Sequence, residues 1–498
     1  MYCADGQNRN GAIEMKFVSN VVHRIGNLLR VDRTIKRGAE DIFRRRRRIR
    51  IVVLGSKNSG KTVFLTALAS NLLNHRKGNG FDLNQWEAFV EEGFAYGHKE
   101  EIADFPYSRY REGFAKENPE WPEKTTCTMS VLRLPLVFRK EGCKERPLLI
   151  EVLDIPGERI ADLTMTKRSY REWCKWMFEK FGSQYSANSP YLEYLEKAKN
   201  CSTKDNLFNA YKSYLLTEYK KYSPWVVPSV VKLTKEGKAT EFEQELHIRA
   251  LGLTAEDQFV PVPIEWFDSS NEWRTWTKDF ASAYDKYKEA IVDPICDWLS
   301  EADRLVYLVD ILNILKSGSA VYNQERKFGE AVLGLFSHHK SYAPGGAIWD
   351  YLSSMVKTRI KDAYLVVTKK DLAEYEKSDN LRKLADALLG KELRGLMKGI
   401  GDGNIRTCAA VDTVSSRCNE SGQEVTYAKT AQDKPETEYV QVKVPEAWPS
   451  GADWKKAIED GTFWFEDTYP QFDERENASP AQSGLDSLMM ALLSSELT

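Results

Sequence analysis

The sequence lacks long hydrophobic segments. No apolar stretch reaches the roughly 18 residues that are needed to cross a bilayer. The longest ones, such as LVYLVDIL at 305–312, carry a charged residue. The first residues also lack the uninterrupted apolar region of a secretory signal peptide. We therefore expect a cytoplasmic protein whose apolar stretches are buried strands.

The sequence also lacks paired cysteines and an excess of charge of either sign. Its eight cysteines are far apart and form no C-x-x-C pair, which is typical of a reducing compartment and argues against a zinc site or a disulfide framework. Lys and Arg total 71 and Asp and Glu total 73, so the net charge is only -2. We therefore expect no nucleic-acid partner. A chain of 498 residues is long enough for several domains or for one domain with large insertions.

Four short apolar segments are typical of buried strands. Each is rich in Val, Leu or Ile and ends at a polar or glycine-containing turn. They cover residues 49–55, 147–154, 304–310 and 363–369. Near-continuous apolar strands of this kind indicate a parallel sheet that is covered on both faces, and hence an α/β fold. A weaker fifth core strand is expected at 404–410.

An alternating segment, residues 129–138, precedes the second of these strands after a polar link that contains Gly142. The two segments are expected to pair as a hairpin. We expect one of its strands to lie at the sheet edge, because Pro135 cannot donate a hydrogen bond inside a sheet.

Two long inserts separate the strands. The first, about 78–123, is aromatic and charged, and the second, about 166–300, is mainly helical by pattern and long enough to be a subdomain. The second also contains an extended patch near 223–234.

The C-terminal part has three segments. The polar residues 415–438 are expected to form a mobile loop. A strand-like stretch (439–445) and an amphipathic helix (485–497) follow.

These segments suggest a division of the chain into domains. We expect an N-terminal extension (1–48), two parts of the core domain (49–165 and 301–415), the helical subdomain (166–300) and a C-terminal segment (416–498).

The stretch GSKNSGKT matches G-x-x-x-x-G-K-[ST] and lies between a predicted strand and a helical run. Glycines in this pattern let backbone N–H groups wrap phosphates, the lysine reaches the terminal phosphates, and the threonine ligates Mg²⁺. The pattern therefore predicts a nucleotide-phosphate site. Its expected residues are Gly55, Ser56, Lys57, Asn58, Ser59, Gly60, Lys61, Thr62 and Val63.

The second buried strand ends in EVLDIPGE. An aspartate at this point, Asp154, can hold the water shell of Mg²⁺, and Gly157 can offer its N–H to a γ-phosphate. Glu158 stands where small GTPases of the Ras type place a water-orienting glutamine. Its carboxylate either orients or deprotonates water, or forms an ion pair with a residue such as Arg159.

The stretch TKKD, residues 368–371, follows another buried strand. Asp371 can accept hydrogen bonds from N1–H and the 2-amino group of guanine, and the stem of Lys369 can cover the ring. Thr368 replaces the asparagine that is usual in the N-K-x-D motif.

The stretch CAAV then follows the fifth predicted strand. Its residues Ala409, Ala410 and Val411 are candidates to donate a backbone N–H to guanine.

Two further segments have alternative interpretations. Thr125, Thr126 or Thr128, in EKTTCT, either closes over Mg²⁺ and the γ-phosphate as a switch or begins a strand; we take Thr125 as the switch candidate. The basic amphipathic stretch 13–30 either lies on an anionic membrane or a partner, or packs on its own domain. The arginine run 44–48 is typical of a solvated linker.

Several separated blocks together resemble a known family. RIRIVVLGSKNSGKTVFLTALASNLL, WPEKT, LDIPGERIADL, ADRLVYLVDILNILKSG, VVTKKDLA and TCAAV occur in the order and setting of the YcjX-like family of bacterial P-loop NTPases. The resemblance covers most of the chain from about residue 40, including TYPQF and LDSLMMALL.

The resemblance implies a Ras-like three-layer G domain with a large helical insertion. It also implies guanine-nucleotide binding, a stress-linked role and a membrane-protein partner. The chain departs from the family at Ile155, where an aromatic residue is usual. It also departs at KYSPWVVPSVVKL, where a proline- and glycine-rich block is usual, and this puts a shared use of the insert in doubt.

Together these observations predict a regulatory GTPase that uses GTP and Mg²⁺. Lys61, Glu158 and Thr125 are its candidate catalytic residues, and Thr62, Asp154 and Thr125 are its candidate metal-binding residues. One alternative is an ATPase on the same scaffold, which Thr368 favours. The other is a nucleotide-dependent scaffold with little catalysis. Peripheral contact with the inner face of the cytoplasmic membrane is expected only if the N-terminal stretch acts as an anchor.

Overall fold

A computed structural model provides the structure of the protein. The residues it describes are 47–56, 59–75, 81–90, 103–114, 121–122, 129–155, 159, 162–163, 165–166, 168–182, 189–221, 253, 257–270, 272–334, 336, 360–396, 404–418, 421, 423–431, 434–470 and 480–497.

An eight-stranded sheet is the centre of the described structure. Its strands are β1 (Arg47–Gly55), β2 (Glu87–Val90), β3 (Ala103–Asp104), β4 (Ser130–Arg139), β5 (Arg146–Asp154), β6 (Arg304–Val309), β7 (Asp362–Val367) and β8 (Ile405–Thr407). The order is β2-β4-β5-β1-β6-β7-β8, and β3 also pairs with β4. The strands β5, β1, β6, β7 and β8 are parallel, whereas β4 is antiparallel to β5 and β2.

Helices cover the sheet and form the larger insert. They are α1 (Lys61–Leu73), α2 (Tyr107–Phe114), α3 (Tyr170–Met177), α4 (Pro190–Lys199), α5 (Lys204–Lys221), α6 (Glu272–Tyr287), α7 (Asp293–Ser300), α8 (Ile311–Ser317), α9 (Ser319–Gly334), α10 (Ser378–Ala385), α11 (Lys391–Leu396), α12 (Gly451–Glu459) and α13 (Leu485–Leu497). Short π-helical segments follow α3 (Phe178–Gly182), join α6 to α7 (Lys288–Val292) and join α10 to α11 (Asp386–Gly390).

Two hydrophobic cores lie on opposite faces of the sheet. Alternate residues of β1 enter different cores: Val52 and Leu54 pack with the helical insert, whereas Ile51 and Val53 pack with α1 and α13. This two-sided burial explains why β1 is a continuous apolar run rather than an alternating one. The α/β fold with covered faces is thus confirmed.

Most of the predicted elements are present. The four main buried strands, the weaker fifth strand as β8, the helix after the glycine-rich loop and the closing helix are all found. In the second insert, α3, α4 and α5 fall on the predicted helical segments, and the extended patch at 223–234 lies outside the described residues. The first insert contributes β2, β3 and α2, which the sequence pattern did not indicate.

The predicted hairpin of β4 and β5 is confirmed, with Gly142 at a positive φ of 74° in its turn. The expectation that one of its strands is an edge strand was wrong, because β4 lies between β5 and two shorter strands. β2 pairs with residues 136–139 of β4, and β3 pairs with residues 130–131. Pro135 falls between them, where no described strand needs its missing N–H on that side.

The expectation of a mobile loop at 415–438 was also wrong. Most of this segment forms an antiparallel sheet of β9 (Val414–Cys418), β10 (Glu424–Ala428) and β11 (Thr437–Glu438). The strand-like stretch that follows makes only one isolated bridge, between Val442 and Ala373. The residues of β9, β10 and β11 lie largely at the surface and are mostly polar. A search for apolar runs therefore does not detect these strands.

The N-terminal boundary also differs from the sequence-based expectation. The last two arginines of the run 44–48 are the first residues of β1 rather than a linker. Arg48 forms an ion pair with Glu151 on β5, with 3.2 Å between Nε and Oε2. The amphipathic stretch 13–30 lies outside the described residues. Within the described part of the chain, no helix is both long and apolar enough to cross a membrane.

Candidate functional site

The glycine-rich loop leaves β1 and enters α1 under tight steric limits. Gly55 has φ of 152°, and a Cβ atom there would lie 2.5 Å from the carbonyl oxygen of Leu308 on β6. Gly60 adopts a left-handed conformation, with φ of 87°, as the N-cap of α1. Both positions therefore require glycine. The loop presents the N-terminus of α1 at the carboxyl ends of the parallel strands, where ligands bind in open α/β sheets.

Lys61 is the first residue of α1, and its side chain turns back over the loop. Its Nζ atom donates hydrogen bonds to the carbonyl oxygens of Gly55, at 2.8 Å, and Ser56, at 2.9 Å. The side chain is buried, so its charge is held close to the centre of the loop. Ser59 and Val63 lie beside it in buried and partly buried positions. Lys57 and Asn58 lie outside the described residues.

Asp154 and Thr62 lie at the ends of adjacent elements. Asp154 is the last residue of β5 and is fully buried; it lies in register with Val53 on β1 and Ser130 on β4. Thr62 follows Lys61 in the first turn of α1. A carboxylate and a hydroxyl are oxygen donors of the kind that Mg²⁺ takes, together with water and phosphate. The residues present therefore fit Mg²⁺, although the described residues contain no cluster of three or more His, Cys, Asp or Glu.

A buried polar network follows the Asp-x-Pro-Gly segment. The Arg159 guanidinium donates to the hydroxyl of Tyr287, with 2.8 Å from Nη1, and lies 3.4 Å from Oδ2 of Asp162. The Tyr287 hydroxyl in turn donates to Asp162 Oδ2 at 2.7 Å. Tyr287 is the last residue of α6, so this network joins the segment after β5 to the helical insert. Tyr284, one turn earlier, donates to the carbonyl oxygen of Met165 at 2.9 Å.

The TKKD segment follows β7, which pairs with β6. β6 in turn pairs with β1, the strand that precedes the glycine-rich loop. Thr368 is buried, and its N–H donates to the carbonyl oxygen of Val309 at 3.0 Å. Lys369 has a left-handed backbone with φ of 60°, and its Nζ atom lies 2.7 Å from Oδ2 of Asp310. This neighbouring carboxylate raises the pKa of Lys369 above its ordinary value. Asp310 also caps α8, where it accepts a hydrogen bond from the N–H of Asn313 at 2.9 Å.

Asp371 is held in place by Thr413. The backbone N–H and the hydroxyl of Thr413 both donate to Oδ2 of Asp371, at 2.8 and 2.7 Å. Burial raises the pKa of Asp371, while the Thr413 bonds and Lys369 oppose that rise. The carboxylate is therefore fixed in orientation by one oxygen.

The CAAV segment leaves β8 beside Asp371. The Ala409 N–H donates to the carbonyl oxygen of Ser483 at 2.8 Å, so this group already has an acceptor and Ala410 and Val411 are the better candidates to face a base. Asp412 follows, with burial raising its pKa to about 6. Its Oδ1 accepts a hydrogen bond from the Ser483 hydroxyl at 2.9 Å.

Four charged or polar residues near the site were not assigned a role from the sequence. Asp310 and Thr413 hold the predicted base-reading residues, Tyr287 holds Arg159, and the carboxylate of Glu325 on α9 interacts electrostatically with the Lys61 ammonium. Only Asp310 had a local signal, because it ends an apolar strand. The other three reach the site from distant segments, and no short motif marks them.

The structure thus brings Asp154 together with the loop residues Gly55, Ser56, Lys61 and Thr62. The base-reading candidates lie at the carboxyl ends of β7 and β8. Five sequence-predicted site residues, and the alternative switch threonines at 126 and 128, lie outside the described residues. The five are Lys57, Asn58, Thr125, Gly157 and Glu158. The ion pair considered for Glu158 and Arg159 therefore stays a prediction. Arg159 contacts Asp162 and Tyr287.

Comparisons with known proteins identify the family of the chain. Over 147 residues the chain is 34% identical to a protein of Shewanella oneidensis named "Ras-like GTPase YcjX", and over 142 residues it is 34% identical to a protein of Escherichia coli with the same name. Each alignment covers 26% of this chain and 30% of the relative. A family model described as "YcjX-like family, DUF463" matches residues 49–497. The sheet order and the glycine-rich loop are consistent with a Ras-like P-loop domain, and the chain belongs to the YcjX-like family.

Proposed function

We propose that the protein is a regulatory GTPase that binds GTP with Mg²⁺ and hydrolyses it to GDP and phosphate. The observation that carries this proposal is the preorganised Asp371 carboxylate, which Thr413 holds at the carboxyl end of β7. Two relatives with the printed name "Ras-like GTPase YcjX" support it. An ATPase on the same scaffold remains the second candidate, because Thr368 stands where asparagine is usual.

The chemistry of the proposal follows from the residues at the loop. Backbone N–H groups of residues 55–63 and the Lys61 ammonium bind the phosphates. Mg²⁺ held by Thr62 and, through water, by Asp154 would neutralise phosphate charge. Water attacks the γ-phosphorus in line, a new P–O bond forms, and the bond to the β-phosphate oxygen breaks. Glu158 is proposed to orient the water, Gly157 to contact the γ-phosphate and Thr125 to close over it.

The regulatory part of the proposal rests on Arg159. This residue lies two positions after Gly157 and is buried against Tyr287 of the helical insert. A conformational change of the segment around Gly157 on hydrolysis would therefore act directly on α6. We accordingly propose that the helical insert is the surface whose contacts change with the bound nucleotide. An arginine supplied by a partner would accelerate such a reaction by about 10³–10⁵-fold, which suits a slow switch that a partner controls.

The biological setting of the proposal comes from the family resemblance. The resemblance implies a stress-linked role and a membrane-protein partner, and the composition of the sequence predicts a cytoplasmic location. The helical subdomain 166–300, inserted between the two parts of the G domain, is the proposed site of that contact.

The guanine assignment is tested by the Asp371→Asn substitution. Asparagine can still accept from Thr413, but it offers an N–H₂ donor to the base in place of a carboxylate oxygen. We expect GDP affinity to fall by at least about 10²-fold, since two hydrogen bonds to a charged group are lost at about 1.5–3 kcal/mol each. Xanthosine diphosphate, which has a carbonyl in place of the 2-amino group, should bind the variant better than GDP.

Isothermal titration calorimetry of both nucleotides checks this expectation. The matched control is Asp379→Asn on the exposed part of α10, which should leave both affinities at their wild-type values. Equal GDP affinity in wild type and Asp371→Asn would rule out the proposed base contact.

A further inference from the structure

An irregular segment after α12 is held in place by side chains from other parts of the chain. Residues 464–470 belong to no helix or strand. The carbonyl oxygen of Phe465 accepts a hydrogen bond from Lys316 Nζ at 2.7 Å. The next carbonyl oxygen, that of Glu466, accepts one from the hydroxyl of Tyr439 at 3.2 Å. The segment therefore has a defined place in the fold although it has no regular structure of its own.

Thr468 lies in this segment and contacts the residue that holds Asp371. Its hydroxyl oxygen is 2.7 Å from that of Thr413, and both threonines are buried. Thr413 has one hydroxyl proton, which it donates to Oδ2 of Asp371 at 2.7 Å. Thr413 must therefore be the acceptor in its contact with Thr468, and Thr468 the donor. The three side chains form one directed chain of hydrogen bonds that ends on the carboxylate.

This chain fixes the hydroxyl of Thr413 in one orientation. A hydroxyl group turns about its C–O bond to suit the partners that are present. Here Asp371 accepts its proton, and Thr468 donates to its oxygen. Hydrogen bonds in such a chain also polarise and strengthen one another. Asp371 is thereby held more firmly than it would be by Thr413 alone.

The backbone of Thr468 is held by the first insert. The indole Nε1 of Trp121 donates to the carbonyl oxygen of Thr468 at 2.8 Å, and the two residues are 347 positions apart in the sequence. The ring of Trp121 packs edge-on against that of Phe114 on α2, with 5.9 Å between the ring centroids. Thr468 thus joins the first insert to the residues that hold Asp371.

We propose that Thr468 is a positioning residue for recognition of the guanine base, which fixes Asp371 through Thr413 and is itself fixed by Trp121. The proposal rests on the proposed contact of Asp371 with guanine. A carboxylate accepts well from both N1–H and the 2-amino group only when its plane is aligned with the base. Loss of the Thr468 hydroxyl should therefore reduce the selectivity for guanine.

The experiment compares the binding of GDP with that of inosine diphosphate, whose base has N1–H but lacks the 2-amino group. Calorimetry of the full chain in excess Mg²⁺ gives the Kd of each nucleotide. The Kd of inosine diphosphate divided by that of GDP, here called the selectivity ratio, reports the bond between the 2-amino group and Asp371. A hydrogen bond to a charged group predicts a wild-type selectivity ratio of at least about tenfold. Changes at the phosphates or the ribose alter both Kd values equally and cancel.

The substitution Thr468→Val replaces the hydroxyl with a methyl group and keeps the branched shape. The methyl group cannot donate a hydrogen bond. A carbon atom also packs at about 3.5–4.0 Å from its neighbours, so Thr413 has to move away from its 2.7 Å contact. We expect the selectivity ratio to fall by about 3–10-fold. The substitution Thr468→Ser keeps the hydroxyl and should give the wild-type ratio.

The substitution Trp121→Phe tests the contact from the first insert. Phenylalanine keeps an aromatic ring against Phe114 but removes the indole N–H. The backbone of Thr468 then loses one bond while its hydroxyl stays in place. We therefore expect a smaller fall of the selectivity ratio, by about 2–3-fold.

Two matched controls remove the same kinds of group elsewhere. Thr277→Val on α6 removes a buried hydroxyl that donates to the carbonyl oxygen of Arg274 at 2.9 Å. Trp448→Phe removes an indole N–H that donates to the carbonyl oxygen of Leu384 at 2.9 Å. Both variants should keep the wild-type selectivity ratio.

The outcomes separate this inference from the proposed function. Equal Kd values for GDP and inosine diphosphate in wild type, or no binding of guanine nucleotide, would overturn the Asp371 contact and this inference with it. If wild type prefers GDP and the ratio is the same in Thr468→Val, even with both Kd values raised, only the role of Thr468 is overturned. If Thr468→Val does not fold, as judged by circular dichroism, Trp121→Phe decides: a wild-type ratio refutes the proposal.

Discussion

Removal of one hydroxyl group should weaken the connection between the candidate nucleotide site and the helical insert. The hydroxyl of Tyr287 accepts from Arg159 at 2.8 Å and donates to Asp162 at 2.7 Å. Arg159 and Asp162 are only 2% and 0% exposed, so water cannot readily replace a lost partner. The substitution Tyr287→Phe leaves both charged groups in place and removes one hydrogen bond from each.

The expected cost follows from these contacts. Hydrogen bonds to charged groups contribute about 1.5–3 kcal/mol each, which gives roughly 3–6 kcal/mol for the two. The direct contact of Arg159 with Asp162, at 3.4 Å, can shorten when the hydroxyl is gone and offset part of the loss. We therefore expect the free energy of unfolding to fall by about 3 kcal/mol.

Urea denaturation followed by tryptophan fluorescence measures this loss. The matched control is Tyr191→Phe on α4, because Tyr191 is also fully buried and its hydroxyl has no hydrogen-bond partner among the described residues. Removal of that hydroxyl should change the free energy of unfolding by less than about 1 kcal/mol. If both variants lose the same amount, the network does not stabilise the connection, and our account of Arg159 is wrong.

Two other predictions concern the base-reading segment and the N-terminus. Asp310→Asn keeps a good helix N-cap but removes the partner of Lys369, so GDP affinity should fall by about tenfold, the effect of about 1.4 kcal/mol; calorimetry that finds unchanged affinity would exclude a positioning role for this pair. Deletion of residues 1–35 should abolish flotation of the protein with anionic liposomes if the basic amphipathic stretch 13–30 is an anchor; unchanged flotation would show that membrane contact, if any, lies elsewhere.

The sheet and the loop could be predicted because their signals are local. Buried parallel strands appear as short apolar runs, and the glycine pattern between 55 and 62 has steric reasons that the structure confirms at Gly55 and Gly60. The strands that the sequence did not reveal are the polar β9, β10 and β11, whose residues lie mainly at the surface. Their pairing is decided by neighbours rather than by hydrophobicity.

The supporting residues of the site could not be predicted for a different reason. Thr413 and Tyr287 contact Asp371 and Arg159 across separations of 42 and 128 residues, so only the tertiary fold brings each pair together. Pro135 illustrates the same limit within the sheet. Pro135 lies between the residues of β4 that pair with β2 and those that pair with β3, so its place depends on where these two short strands end. The sequence of β4 itself does not contain that information.

The central claim is that this site selects guanine nucleotide. The most direct measurement compares the affinities of the wild-type protein for GTP and ATP in the presence of Mg²⁺, together with the release of phosphate from each. We predict that GTP binds at least about 10²-fold more tightly than ATP, because adenine cannot donate the two hydrogen bonds that Asp371 accepts. ATP binding that is as tight as GTP binding, and that is unaffected by Asp371→Ala, would contradict the claim.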